Sequence, residues 1–135
     1  MQHATAIKVR GYHLDLYGHV NNARYLEFLE EARWSFFEEC SDLPWFLQCG
    51  LALIVVNINI DYRHPATMGD ELLVHTSVKS LGNRSAVMHQ RVCLAGSDKL
   101  VAEADVTFVV FDAQQNKAVA LDGKLKELLQ ALQDQ

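Results

Sequence analysis

Asp15 is the residue whose type and setting most directly suggest chemistry. The stretch Asp15-Leu16-Tyr17-Gly18-His19-Val20-Asn21-Asn22 sets its carboxylate in a short loop that runs straight into the first turn of a long amphipathic helix. The exposed N–H groups of a helix N-terminus favour negative charge and can hold a developing oxyanion, while a carboxylate beside them can attack a carbonyl or activate water. That is acyl-transfer chemistry without a serine or cysteine nucleophile. Ser35, Ser41 and Ser85 lack a G-x-S-x-G context. Asp15 also has a plain structural reading, because aspartate is common in turns before helices and caps local amides.

The elements that must position this loop follow from periodicity. Ala6 to Gly11 alternates Ile7 and Val9 against Lys8 and Arg10, the pattern of a half-buried strand. Asn21 is the expected N-cap of a helix on which Tyr25, Leu29, Ala32 and Phe36 close into an apolar stripe, widened by Leu26 and Phe28. Arg24, Glu27, Glu31 and Glu38 take the opposite side. Arg33 projects onto the apolar side and needs a carboxylate or carbonyl partner, whereas Trp34 projects toward the charged side and suits a second subunit or a covering loop. Pro44 to Leu47 reads as a short helical turn.

Leu51 to about Arg63 reads as a strand with Val56, Ile58, Ile60 and Tyr62 on one face and Asn57, Asn59, Asp61 and Arg63 on the other. Turns at Gly69-Asp70, Gly82-Asn83 and Gly96-Ser97-Asp98 then separate strands over 72–81, 86–95 and 100–111. Asp122 is placed to cap a final helix bearing Leu125, Leu128, Leu129 and Leu132. The order predicts an α+β domain in which an antiparallel sheet covers a central helix. Ala102 and Ala104, in phase with Val106 and Phe108, would let that helix sit close. So small a single layer leaves edges and one sheet face uncovered, which predicts pairing with another copy.

Composition narrows the function. At 135 residues, half of them hydrophobic, the chain suits one globular domain spanning 1–135. A formal charge of -5 with no Lys/Arg run argues against a nucleic-acid partner. The longest apolar run, Leu51 to Val56, is too short for a membrane span, and Met1-Gln2-His3 leads directly into a strand-like pattern, so a cytoplasmic location is expected. Cys40, Cys49 and Cys93 are scattered and read as reduced packing residues. His13, Asp15 and His19 are metal-ligand types, but no matching cluster accompanies them, so neither a metal nor another cofactor is expected.

Three blocks carry a resemblance: Val9-Arg10-Gly11-Tyr12-His13-Leu14-Asp15, the run from His19 through Val20-Asn21-Asn22 to Arg33, and Val56-Asn57-Ile58-Asn59-Ile60-Asp61-Tyr62-Arg63. With them the sequence resembles a hot-dog-fold thioesterase of the 4-hydroxybenzoyl-CoA thioesterase-like superfamily, most of all the bacterial long-chain acyl-CoA thioesterases. Plant acyl-carrier-protein thioesterases carry a similar D-x-x-x-H-V-N-N run, so the motif marks thioester chemistry better than it marks the carrier. Gly18 stands where many relatives carry a polar side chain, which leaves only backbone at that position.

The resemblance implies a helix wrapped by a curled antiparallel sheet, a homodimer or homotetramer, and an active site at the subunit interface. It implies that Asp15 carries hydrolysis of an acyl-CoA substrate and that the backbone N–H near Asn22 is the oxyanion donor. His19 could polarise the carbonyl, orient Asp15 or protonate the departing sulfur, and equally could be a hydrogen-bonded loop residue. Arg63, His64 and Arg84 are the candidates for the phosphates of coenzyme A, although each alone reads as solvated charge. The cluster Trp34, Phe36, Phe37, Trp45 and Phe46 reads as core and interface. Competing functions are an acyl-carrier-protein thioesterase and a non-catalytic module that binds acyl thioesters.

Overall fold

The computed structural model describes residues 3–134; Met1 and Gln2, on which the reading of the chain's start rests, lie outside the described residues. The first strand, β1 (His3–Lys8), has the expected phase but ends before Gly11. Val9 still bonds on both sides, but to turn residues: its N–H donates to the Asp70 carbonyl and its carbonyl accepts from the Gly69 N–H, each at 2.9 Å. The ladder therefore stops where the partner strand has not begun, and Gly11–His13 coil into one tight turn.

The long helix α1 (Asn22–Cys40) starts on Asn21, whose side chain accepts the Ala23 N–H, and buries Tyr25, Phe28, Leu29, Ala32, Phe36 and Phe37. This is the stripe that helical spacing demands. Helix α2 (Leu43–Gln48) follows, with Asp42 capping the Trp45 N–H and Pro44 in its first turn.

Strands β2 (Leu51–Tyr62), β3 (Glu71–Leu81), β4 (Ser85–Leu94) and β5 (Leu100–Asp112) complete an antiparallel sheet ordered β1-β3-β4-β5-β2. A two-residue strand, β6 (Lys117–Ala118), pairs with β5 at Phe111 and Asp112. The periodicity does not announce it. It forms because the Asp112 carboxylate accepts the Gln114 and Gln115 N–H groups and Asn116 adopts φ 54°, turning the chain back. Helix α3 (Gly123–Gln133) buries Leu125, Leu129 and Leu132; Asp122 takes the cap position but its side chain makes no capping bond.

One phase expectation fails. Val55 pairs with Phe108 and Asn57 with Thr107, so Val56 is an extra residue in a bulge and is 57% exposed. The inward face of β2 runs Leu53, Val55, then Ile58, Ile60 and Tyr62, opposite Val110, Phe108, Val106, Ala104 and Ala102. A bulge shifts the alternation by one residue without any mark in the hydrophobic pattern. Among the described residues, β2 has no strand neighbour beyond β5.

The core lies between α1 and the sheet that curls around it. Ala102 and Ala104 are buried, but the backbone of α1 comes nearest to β1 and β3 rather than to the strand that carries these alanines. Among the described residues, Thr76 and Gln90 are the polar side chains buried in this layer. Gln90 answers the demand that Arg33 makes. Its amide oxygen accepts from the Arg33 guanidinium at 3.1 Å, and its amide nitrogen donates to the Leu29 carbonyl at 3.0 Å and the Thr76 hydroxyl oxygen at 3.1 Å. The helix is thereby fixed to β3 and β4 by direction as well as by packing.

On the outer face, Asp105 accepts from Lys79 at 2.8 Å and pairs with His89 at 2.9 Å. The hydrogen bond from Lys79, then that from His89, holds its carboxyl below the usual range. No described helix is long and apolar enough to cross a membrane. The three cysteines are free thiols.

Candidate active site

The loop between β1 and α1 is held from within. The His13 carbonyl accepts the Asn21 N–H at 2.9 Å, the Asp15 N–H donates to the His19 carbonyl at 2.8 Å, and Leu14 bridges to Val20. Inside this ladder the Asp15 carbonyl accepts the Gly18 N–H at 3.1 Å, a tight turn that leaves Gly18 at φ 77°. Glycine reaches that conformation without the strain a Cβ would bring. The missing side chain at position 18 is thus a backbone requirement of this turn.

Asp15 caps local amides, as its structural reading expects, and does so through one oxygen. Its Oδ1 accepts the Tyr17 N–H at 2.8 Å and the His19 N–H at 3.3 Å. Among the described residues its Oδ2 has no hydrogen-bond donor. The two N–H bonds orient the carboxylate and leave one oxygen available.

The helix start offers the matching donor. Asn21 uses its side chain on the Ala23 N–H at 2.9 Å and its carbonyl on the Arg24 N–H at 2.8 Å. The Asn22 N–H has no acceptor among the described residues, which is the ordinary condition of a first-turn amide. Tyr62 donates its hydroxyl to the Asn22 carbonyl at 3.0 Å and ties the end of β2 to the helix. Its ring lies 5.5 Å from that of Tyr25. Burial pushes the Tyr25 phenol up, and its oxygen accepts the Ala66 N–H at 3.3 Å.

Asp15, His19, Asn22, Tyr25, Tyr62, Arg63 and His64 line one depression of about 390 Å³. Five of the six residues proposed from sequence meet there. Arg84 does not: it sits in the β3–β4 turn, beside the Ser85–Val109 pair and at the opposite end of β5 from the Ala102–Tyr62 pair. Arg63 also reaches Glu103 at 3.3 Å and Asp61 at 3.6 Å, so its charge is shared with two carboxylates. Spacing places Tyr25 in the helix stripe and Tyr62 on a strand face but assigns neither to the site. The signal was Tyr62 at the inward phase of β2, four residues after Ile58.

A second, apolar cavity of about 500 Å³ lies between α1, α2 and β2. It holds none of the polar residues just described, and no residue lines both hollows, but α1 and β2 contribute to each. Leu26 lies one helical turn past Asn22, and Ile58 two inward positions before Tyr62. The aromatic cluster divides accordingly: Trp34, Phe37 and Phe46 line the cavity, Phe36 is buried, and Trp45 lies under the Lys124 ammonium at 5.1 Å.

His13 sets the entry to the loop. Its Nδ1 accepts the Arg10 N–H at 2.8 Å and its ring meets Phe28 edge-on at 4.9 Å. Burial, reinforced by Arg24, holds the imidazole below the usual histidine range. A depressed folded-state value stabilises the loop above the ordinary histidine range, and that stability is lost as pH falls through the folded value. His13→Gln accepts the same bond without titrating. Its Tm should fall less than that of the parent between neutral and mildly acidic pH; parallel Tm curves would exclude His13 as the titrating anchor.

The model of the thioesterase-like superfamily matches residues 9–132. The chain is 48% identical over 128 residues to the long-chain acyl-CoA thioesterase FadM of Escherichia coli K12, covering 95% of this chain and 97% of that one. It is 30% identical to the acyl-CoA thioesterase YbgC of Haemophilus influenzae, covering 83% and 82% of the two chains. The crystal structure of YbaW from Escherichia coli superposes with a TM-score of 0.91 at 47% identity, over 96% of this chain and 98% of that one.

Proposed function

The chain belongs to the thioesterase-like superfamily and is an acyl-CoA thioesterase of hot-dog fold; on that premise we propose that its substrates are fatty acyl-CoA thioesters of medium to long chain and that Asp15 carries the hydrolysis. The carrying observation is the pairing of an oriented carboxylate, one oxygen unengaged, with the unengaged Asn22 N–H on one depression.

The thioester carbonyl docks over the start of α1, where the Asn22 N–H receives the charge that develops on its oxygen. Asp15 Oδ2 either attacks the carbonyl carbon, giving a mixed anhydride that water then cleaves, or takes a proton from the water that attacks. Either way the C–S bond breaks, one water is consumed, and the products are a carboxylic acid and a thiol. His19, on the same depression, is the candidate to protonate the departing sulfur. Arg63 and His64, at the end of β2, are the candidates for the phosphates of coenzyme A.

The apolar cavity supports the chain-length part of the reading. It begins one turn along α1 from Asn22 and extends to Phe37 and Phe46. Turnover of acyl-CoAs of increasing length, followed by thiol release, should rise into the medium-to-long range. Ile58→Trp, which fills the near end of the cavity, should lower kcat/KM for the longest chains by about tenfold or more while the shortest change by less than about threefold. Equal losses at all lengths would place the acyl chain elsewhere.

A further inference from the structure

We propose that the cavity between α1 and β2 is built for an acyl chain bearing a hydroxyl group part-way along its length, held between Arg33 and Glu30. This rests on the acyl-CoA reading above and specifies the acyl group further. The wall is mainly hydrocarbon, including Leu26, Phe37, Met88 and Phe108, yet Glu30 and Arg33 interrupt it three residues apart on α1. A plain alkyl chain gains nothing from these two groups, and filling the cavity with one takes water from the half-buried Arg33 at a cost.

Arg33 is held in place. Its guanidinium donates to Gln90 Oε1 at 3.1 Å, and Gln90 is itself fully buried and fixed by the Leu29 carbonyl and the Thr76 hydroxyl. Swinging Arg33 away would leave a buried amide oxygen unpaired. A guanidinium has five N–H donors, and this bond uses one. Burial lowers the basicity of Arg33, and Glu30 offsets part of that effect through space. The remaining donors lie beside a cavity in which Glu30 supplies an acceptor.

A hydroxyl is the group that uses both. Its oxygen accepts from Arg33 while its O–H donates to the Glu30 carboxylate. A carboxylate in the same place would meet the like charge of Glu30, and a ketone would use Arg33 alone. Side chains on a helix lean toward its N-terminus, and the Gln90 bond to the Leu29 carbonyl sets the level of the guanidinium at Leu29. That is seven residues past Asn22, or ~10 Å along the axis. The hydroxyl therefore belongs in the middle or distal part of the chain.

The test is a positional series: acyl-CoAs of one length, unsubstituted, hydroxylated at successive carbons, or ending in a carboxylate. A hydroxyl within one mid-to-distal window should raise kcat/KM about tenfold over the unsubstituted chain, and the terminal carboxylate should give no gain. The ratio should collapse to about one in Arg33→Met, whatever that variant's absolute rate. Should Arg33→Met fail to fold, Glu30→Gln, at an exposed helix position, should still reduce the gain to about threefold. A flat positional profile in an enzyme that hydrolyses the unsubstituted chains overturns this inference alone. Failure to hydrolyse any acyl-CoA overturns it together with the function on which it rests.

Discussion

Asp15→Asn should lower kcat on a saturating long-chain acyl-CoA by about 10²–10⁴, with the folded state intact. The substitution is chosen for what it keeps. An asparagine carbonyl oxygen can accept the Tyr17 and His19 N–H groups as Oδ1 now does, so the turn closed by Gly18 survives. What disappears is the charge on the second oxygen, and with it both nucleophilic attack and proton removal from water. KM should change little, because the acyl cavity and the end of β2 are untouched. A kcat within about threefold of the parent, at unchanged Tm, would remove Asp15 from the chemistry and leave it as a loop cap.

The largest expected loss of stability is at Gln90. Gln90→Leu preserves bulk in the core but deletes the acceptor of a half-buried guanidinium and the partner of the buried Thr76 hydroxyl. Leaving a charged donor without its acceptor costs more than an ordinary hydrogen bond returns, so ~2–4 kcal/mol is expected from urea unfolding midpoints. Thr76→Val in the Gln90→Leu background should recover part of this by removing the second orphaned group. A loss below about 0.5 kcal/mol would mean that Arg33 finds its acceptor elsewhere.

The site was legible where its members are neighbours in sequence. Asp15, His19 and Asn22 lie within eight residues, and the helix cap at Asn21 fixes their relation to α1 before any long-range contact forms. Arg63 and His64 were legible as a strand end, and the antiparallel order delivers that end to the helix start. The Val56 bulge was not legible, because period-two alternation records faces and carries no count of residues on the partner strand. For Arg33, sequence stated the need for an acceptor but not its source. Gln90 shares the inward phase of Met88 and Val92, and register alone brings it beneath Leu29. The apolar cavity lies in the gap between elements, and packing decides a gap that composition leaves open.

One rigid body, α1, carries both the Asn22 amide proposed to meet the reacting carbonyl and one wall of the cavity proposed for the tail. On the proposed reading it works as a ruler whose zero mark is Asn22 and whose far stop is set by side chains several turns away. Moving the stop, by enlarging or trimming residues such as Phe37 or Phe46, changes which tails are measured as fitting and leaves the zero where it was. Selectivity can therefore drift within this scaffold at little risk to turnover, whereas any change that tilts the ruler itself shifts cutting and measuring together.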